Sequence, residues 1–252
     1  MTYCLGILLE EGLLLASDSC SNAGFDQIAE VNKLSLMPLA PDRLIAIQSA
    51  GNLATTQAVI TTLREAFASG DRALDLKACR SMFQVAQIVG EQLRVAIAHD
   101  GDFVTPFGNP NASFLVSGQI AGQPPRLFQI YSAGNFVEAT DRAPFLQIGE
   151  TKYGKPILDR ALTRSSSLVE AAKLAMLSFD ATIRSNLSVG LPLDVLLYRA
   201  DSLSRANLVT VRHDDPYWVA LREGYSAGLQ GLIDGLPAPP KEWQPKRMGD
   251  AP

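Results

Sequence analysis

Histidine and cysteine are scarce in this chain of 252 residues: two of the first, His99 and His213, and three of the second, Cys4, Cys20 and Cys79. So few histidines make a His-based triad or a His-rich metal site hard to build. The scattered cysteines exclude a disulfide framework and an ordinary zinc site, and read as reduced thiols of a cytosolic protein. There is no basic block, and a net charge of −4 argues against a nucleic-acid or anionic-membrane partner. No stretch reaches the roughly 18 uncharged residues a membrane span needs. Leu13-Leu14-Leu15-Ala16 is apolar and close to the start, but it has no basic flank, and Glu10-Glu11-Gly12 interrupts the run before it. A secretory signal is therefore not expected, and the expected location is cytoplasmic.

What is present is globular: 47% hydrophobic and 19% charged residues, enough for one generous core or two small ones. Residues 3–9 and 13–17 are apolar runs flanking Glu10-Glu11-Gly12, which predicts a hairpin. Apolar residues on both faces of both strands imply a sheet covered on both sides. Asp18 is placed just past the second strand, on a loop Ser19–Asp26. Residues 34–37 and 43–48 predict another strand pair around Pro38–Asp42. Helical patterns follow from Leu53 to about Phe67 and from about Leu76 to Ala98, separated by Gly70-Asp71.

A second round begins at Phe114–Gly118 and Arg126–Tyr131, a strand pair around Gly122-Gln123-Pro124-Pro125, with a turn at Ser132–Asn135. Phe145–Gly149 reads as a strand, about Lys155–Leu162 and Leu168–Arg184 as helices, and Val195–Tyr198 as a strand. Strands, two helices, strands, two helices, strands is the order of a layered α+β domain. Beyond it, Asp215-Pro216 supplies an N-cap and a first-turn proline to a helix striped by Trp218, Leu221, Tyr225, Leu229 and Leu232. That helix docks either on its own domain or on a neighbouring subunit. The organisation expected is therefore a main domain over 1–200, an extension with strand and amphipathic helix over 201–236, and a proline-rich mobile tail over 237–252.

Thr2 is the residue with the most chemical promise. Removal of Met1 leaves it with a hydroxyl and a free α-amine, a nucleophile and its base in one residue. Such an amine has an unperturbed pKa of about 7.7–8.0, suited to proton transfer near neutrality. Lys33, in Val31-Asn32-Lys33-Leu34, would favour the neutral amine by charge repulsion, and Asp18, in Ala16-Ser17-Asp18-Ser19, would hold that lysine in place. A tetrahedral intermediate also needs a pre-aimed donor, and Gly51, in Ser49-Ala50-Gly51-Asn52-Leu53-Ala54, offers a backbone N–H at a helix start. Singly these residues mean little; their joint order carries the signal.

That order resembles the front end of proteasome β-subunits and bacterial HslV, and most closely the Anbu, or ancestral β-subunit, branch. The opening Met-Thr-Tyr-Cys, Ala16-Ser17-Asp18-Ser19 and Ser49-Ala50-Gly51-Asn52-Leu53-Ala54-Thr55-Thr56-Gln57 carry the resemblance. So does Ser117-Gly118 followed by Pro125-Arg126-Leu127-Phe128. It spans residues 2 to about 200. The resemblance implies an Ntn-hydrolase fold, a four-layer αββα sandwich with, here, a C-terminal helical extension. It also implies roles: Thr2 as nucleophile and base, Asp18 as orienting acid, Lys33 as essential lysine, Gly51 as oxyanion donor. The family's supporting serine falls at Gly149-Glu150-Thr151, where either Glu150 or Thr151 replaces it. The family's supporting Asp and Ser fall in Ser178–Gly190, where Asp180 is one match and Ser185 with Ser188 another, depending on where a gap is placed. By the same alignment Ser21, Val31, Ser35, Ser49, Leu53 and Gln57 line the substrate pocket, which is uncharged and suits a neutral or apolar side chain.

The leading expectation is an N-terminal threonine peptidase in a self-compartmentalising ring or helical homo-oligomer. It would act on peptide or protein substrates with no metal or organic cofactor, and an ATPase or adaptor partner is left unidentified. Two alternatives stand beside it. One is an amidase or acylase on small amides; the other is a catalytically weak or silent ring subunit.

Overall fold

The computed structural model describes residues 2–22, 28–38, 40–69, 74–204 and 207–243. Met1, the Gly70-Asp71 break, the Ser21 side chain and residues 244–252 of the tail lie outside what is described. The first apolar runs form β1 (Tyr3–Leu9) and β2 (Gly12–Asp18), antiparallel and buried at every position. Gly12 closes their turn at φ +147°, and a Cβ there would stand 2.0 Å from the Tyr198 carbonyl. Only glycine fits that approach.

Next come β3 (Cys20–Asn22) and β4 (Ile28–Glu30), which pair with each other, then β5 (Leu34–Leu36) and β6 (Arg43–Gly51). Helices α1 (Leu53–Ser69) and α2 (Met82–Val104) precede β7 (Ala112–Ile120), β8 (Arg126–Ile130), β9 (Phe136–Glu138) and β10 (Phe145–Gly149). After α3 (Lys155–Ala161) and α4 (Leu168–Ser185), β11 (Leu193–Arg199), β12 (Leu208–Val211) and α5 (Pro216–Gly235) complete the described elements longer than one turn.

Two five-stranded antiparallel sheets result, ordered β10-β1-β2-β11-β12 and β5-β6-β7-β8-β9. They face one another, with β1 and β10 against β6, β7 and β8. Cys4, Leu13, Leu15, Ala46, Leu115 and Leu127 fill the space between. The alternate residues of the same strands point outward. Leu5, Ile7 and Leu14 pack with Ala175 and Phe179 of α4, while Ile45, Ile47 and Phe114 pack with Val59, Leu63 and Val89 of α1 and α2. Both faces being covered is why these strands lack polar alternation.

Several elements depart from the sequence reading. Asp18 is the last residue of β2, paired with Leu193, rather than a loop residue. The segment expected as a loop contains β3, and β9 lies just past an expected turn; both are three-residue strands too short to show a period. Helix α2 begins at Met82 rather than near Leu76, because Ser81 caps it by accepting the Gln84 N–H. Leu76 and Cys79 are nonetheless buried in the same core from the turns ahead of it, which is what extended the apparent helical stripe.

At the C-terminal end β12 adds an edge to the first sheet, and α5 packs on α4. Asp215 caps α5 as its sequence predicts, accepting N–H bonds from Tyr217 and Trp218. Its stripe is used unevenly: Trp218 is 1% exposed, whereas Leu229 and Leu232 are 47% and 61% exposed. None of the described helices is long and apolar enough to cross a membrane.

Candidate active site

Thr2 sits at the open end of β1, in the middle of the first sheet. Its carbonyl accepts the Glu150 N–H at 2.6 Å, and the next residue, Tyr3, donates its N–H to Asp18 Oδ1 at 2.8 Å. The strand on one side therefore holds Thr2 from its carbonyl, and the strand on the other holds the amide that follows it. Gly149 makes the first contact possible. At φ +83°, a Cβ there would stand 2.0 Å from the Thr2 carbonyl oxygen.

Asp18 also accepts from Lys33 Nζ at 2.8 Å through the same Oδ1, and Lys33 Nζ donates to the Cys20 carbonyl at 2.6 Å. Asp18 is 1% and Lys33 5% exposed. Burial pushes the Asp18 carboxyl above its ordinary range, opposed by the Lys33 ammonium, its hydrogen bond and the Tyr3 N–H. The neighbouring Cys4 thiol is pushed up as well, first by burial and then by the Asp18 charge. The Lys33 carbonyl accepts the Ser49 N–H at 3.0 Å, so the lysine is fixed to β6 through its backbone as well as to β2 through its side chain.

A cavity of about 450 Å³ opens at this point, and Thr2, Lys33 and Gly51 all line it. Val31, Ser35, Ser49, Leu53 and Gln57 line it too. Gly51 ends β6 at φ +111°, where a Cβ would stand 2.5 Å from the Asn111 carbonyl, so this turn into α1 demands glycine. One face of α1 forms a wall, with Leu53, Gln57, Ile60, Thr61 and Arg64 at helical spacing. Arg64 and, from β4, Glu30 correct the expectation of an uncharged lining. The helical step from Leu53 through Gln57 would have reached Arg64, had the wall been followed two turns further.

Other sequence candidates lie elsewhere. Asp180 does not line the cavity: it is 0% exposed in α4, receiving Arg184 Nε at 3.0 Å and Arg222 Nε at 2.7 Å. Its salt bridge to Arg222 binds α5 to α4, and the one to Arg184 stays within α4. Thr151 is exposed and lines a different cavity beside Phe145 and Gln147. Ser185 is exposed at the end of α4, and Ser188 donates its N–H to Asn186 Oδ1 at 3.0 Å. Glu150 is buried, its carboxylate taking the Lys152 N–H at 2.9 Å and Asn186 Nδ2 at 3.0 Å. Asn186 was not among the candidates. An asparagine closing a helix reads as an ordinary cap, and no sequence signal joins it to a residue 36 positions earlier.

Facing antiparallel sheets, with a threonine opening an inner strand beside a buried lysine–aspartate pair, define a chain of the proteasome β-subunit type. No protein-family model matches the sequence, and no curated protein matches it; solved structures do. The chain is similar to Anbu (ancestral beta-subunit) from Yersinia bercovieri, with 42% identity, 94% of this chain and 98% of that one covered, and a TM-score of 0.89. It is similar to the chain of the helical assembly of the Anbu complex from Pseudomonas aeruginosa, with 44% identity over 96% and 100% and a TM-score of 0.87. Anbu from Hyphomicrobium sp. strain MC1 matches at 42% identity over 94% and 99%, with a TM-score of 0.87. The chain belongs to the Anbu family, a branch of the proteasome-like β-subunits.

Proposed function

We propose that this protein is an N-terminal threonine peptidase that hydrolyses peptide amide bonds within a self-compartmentalising homo-oligomer. The observation that carries the proposal is the convergence of Thr2, Lys33 and Gly51 on one cavity, with Asp18 ion-paired behind them. Met1 is removed first, because an acylated threonine nitrogen has no lone pair to act as a base. The Thr2 hydroxyl then attacks the substrate carbonyl while its proton passes to the α-amine. Gly51 N–H holds the oxyanion, and the leaving amine takes the proton as the acyl–threonine ester forms. Water, deprotonated by the same amine, hydrolyses the ester and restores Thr2. Lys33 contributes a fixed positive charge at the site, and Asp18 sets its position.

We read the facing sheets and their outer helices as the Ntn-hydrolase four-layer sandwich over residues 1–200, with 201–236 as an extension and 237–252 as a tail. Self-association is supported by the helical assembly of the Pseudomonas aeruginosa relative. The exposed apolar end of α5 supplies surface for it. A cytoplasmic location agrees with three cysteines that are all free.

The test is intact mass before and after a peptide epoxyketone, an electrophile requiring both the hydroxyl and the free amine of a terminal threonine. Loss of Met1 with one adduct, absent in Thr2→Ala, is the expected result. Loss of Met1 without an adduct would instead favour a silent subunit, a reading that the Glu150 carboxylate keeps open. Turnover of small amides with none of peptides would favour an amidase.

A further inference from the structure

Glu150 is the residue across from Thr2. Tyr3 pairs with Gly149 in the antiparallel register, and the next position on each strand is joined by the 2.6 Å bond from Glu150 N–H to the Thr2 carbonyl. Glu150 is 5% exposed, and both hydrogen-bond donors to its carboxylate, Lys152 N–H and Asn186 Nδ2, are neutral. Its carboxylate is thus held in place by neutral donors. Asn186 is itself fixed at three points. Its N–H bonds to the Thr182 carbonyl at 2.8 Å, its Oδ1 receives Ser188 N–H, and its Nδ2 holds Glu150.

We propose that Glu150, clamped by Asn186, is the positioning residue of the Thr2 α-amine: its backbone seats the threonine, and its carboxylate retains the amine's proton, moving the nucleophile's working range toward alkaline pH. This inference rests on the reading of Thr2 as a free N-terminal residue. The charged and titratable groups around Thr2 are Tyr3 and Cys4 on β1, Asp18 on β2, Cys20 on β3, Lys33 ahead of β5 and Glu150 after β10, with Glu30 of β4 and Arg64 of α1 lining the same cavity from exposed positions. Asp180 on α4 is already paired with Arg184 and Arg222. Asp18 and Lys33 are paired at 2.8 Å and solvent screens the exposed Glu30 and Arg64, which leaves Glu150 as the buried acid that tips the amine. Asn186 acts only through Glu150.

The experiment uses the full chain prepared with Thr2 as its first residue, by cleavage of an N-terminal fusion, and labelled at threonine for NMR. The α-amine is titrated in the parent, Glu150→Gln and Asn186→Ala, and the rate of epoxyketone adduct formation is followed over the same pH range. Glu150→Gln removes the charge and keeps one of the two hydrogen bonds that the carboxylate accepts, so its amine titrates about one unit lower and the acid limb of adduct formation moves with it. Asn186→Ala keeps the charge but releases the clamp, lowering the maximal adduct rate about tenfold with the half-saturating concentration unchanged. An amine that titrates in Glu150→Gln as it does in the parent overturns the inference, whether or not an adduct forms. Absence of any adduct in the parent overturns the peptidase reading and leaves the titration to judge Glu150. Should Glu150→Gln fail to fold, Glu150→Ala takes its place, and an amine that titrates in it as in the parent overturns the inference equally.

Discussion

Asp18 and Asp180 are both buried aspartates bound to basic side chains, yet they occupy different regions and do different work. Asp18 is held by one buried ammonium and one strand N–H, and its lysine lines the cavity that Thr2 opens. Asp180 is held by two guanidinium groups whose side chains are 52% and 40% exposed, and it joins one helix to another. Burial of a carboxylate therefore does not by itself mark chemistry. What separates the two is the partner: at Asp18 it reaches the cavity that Thr2 lines, and at Asp180 the partners line a separate cleft between α4 and α5.

The largest effect that tests this contrast is at Lys33. Lys33→Ala is expected to lower the rate of epoxyketone adduct formation by about a thousandfold or more, on the scale of losing a proton-transfer partner. It also strands the buried Asp18 carboxylate, at a cost of about 3–5 kcal/mol. Denaturant unfolding separates the two losses, since Lys33→Ala with Asp18→Asn recovers stability without recovering rate. Recovery of the rate in the double variant would show that the pair is only structural.

Next in size is an alkaline transition from Tyr3, the residue after the nucleophile. Its phenol is raised to about 12, chiefly by burial, against hydrogen bonds to Ser178 and Gln147. Because the folded value lies above the unfolded one, the associated stability is fully present below about pH 10 and is lost as pH rises toward 12. The slope is about 1.4 kcal/mol per pH unit. Denaturant midpoints taken from about pH 9 to about pH 12 should fall more steeply in the parent than in Tyr3→Phe. Parallel curves would mean that the phenol ionises without opening the strand.

Asp180→Ala is expected to cost less, about 1–3 kcal/mol, because the stranded arginines reach solvent. Its adduct rate should stay within about twofold of the parent. A hundredfold fall in rate at unchanged stability would return Asp180 to the chemistry, as its sequence position suggested.

Legibility in the sequence followed the same division. Long, doubly buried strands such as Tyr3–Leu9 announce themselves by composition, and caps such as Asp215-Pro216 by residue type. Thr2, Lys33 and Gly51, which share one cavity, and Asp18, which bonds Lys33 behind it, could be picked out by their order along the chain. Asp180 misled because a buried acid after an apolar helical run reads the same whether it faces a cavity or a neighbouring helix. Asn186 and Glu150 were not legible as a pair because their contact depends on where α4 ends relative to β10, and that relation is tertiary.

The smallest predicted effect concerns selectivity, and it sharpens the contrast from the cavity side. Arg64 and Glu30 bring opposite charges to a lining that, Lys33 aside, offers polar and aliphatic groups. Both are exposed, so solvent weakens each interaction to about 1 kcal/mol. Arg64→Glu should therefore shift the ratio of kcat/KM for acidic over basic peptide side chains by about tenfold, with little change for neutral ones. Lys33→Ala, by contrast, should depress all peptides alike. If Arg64→Glu also depressed all of them equally, the arginine would belong with Lys33 as part of the machinery around Thr2, and the wall of α1 would be catalytic support as well as a surface that reads the substrate.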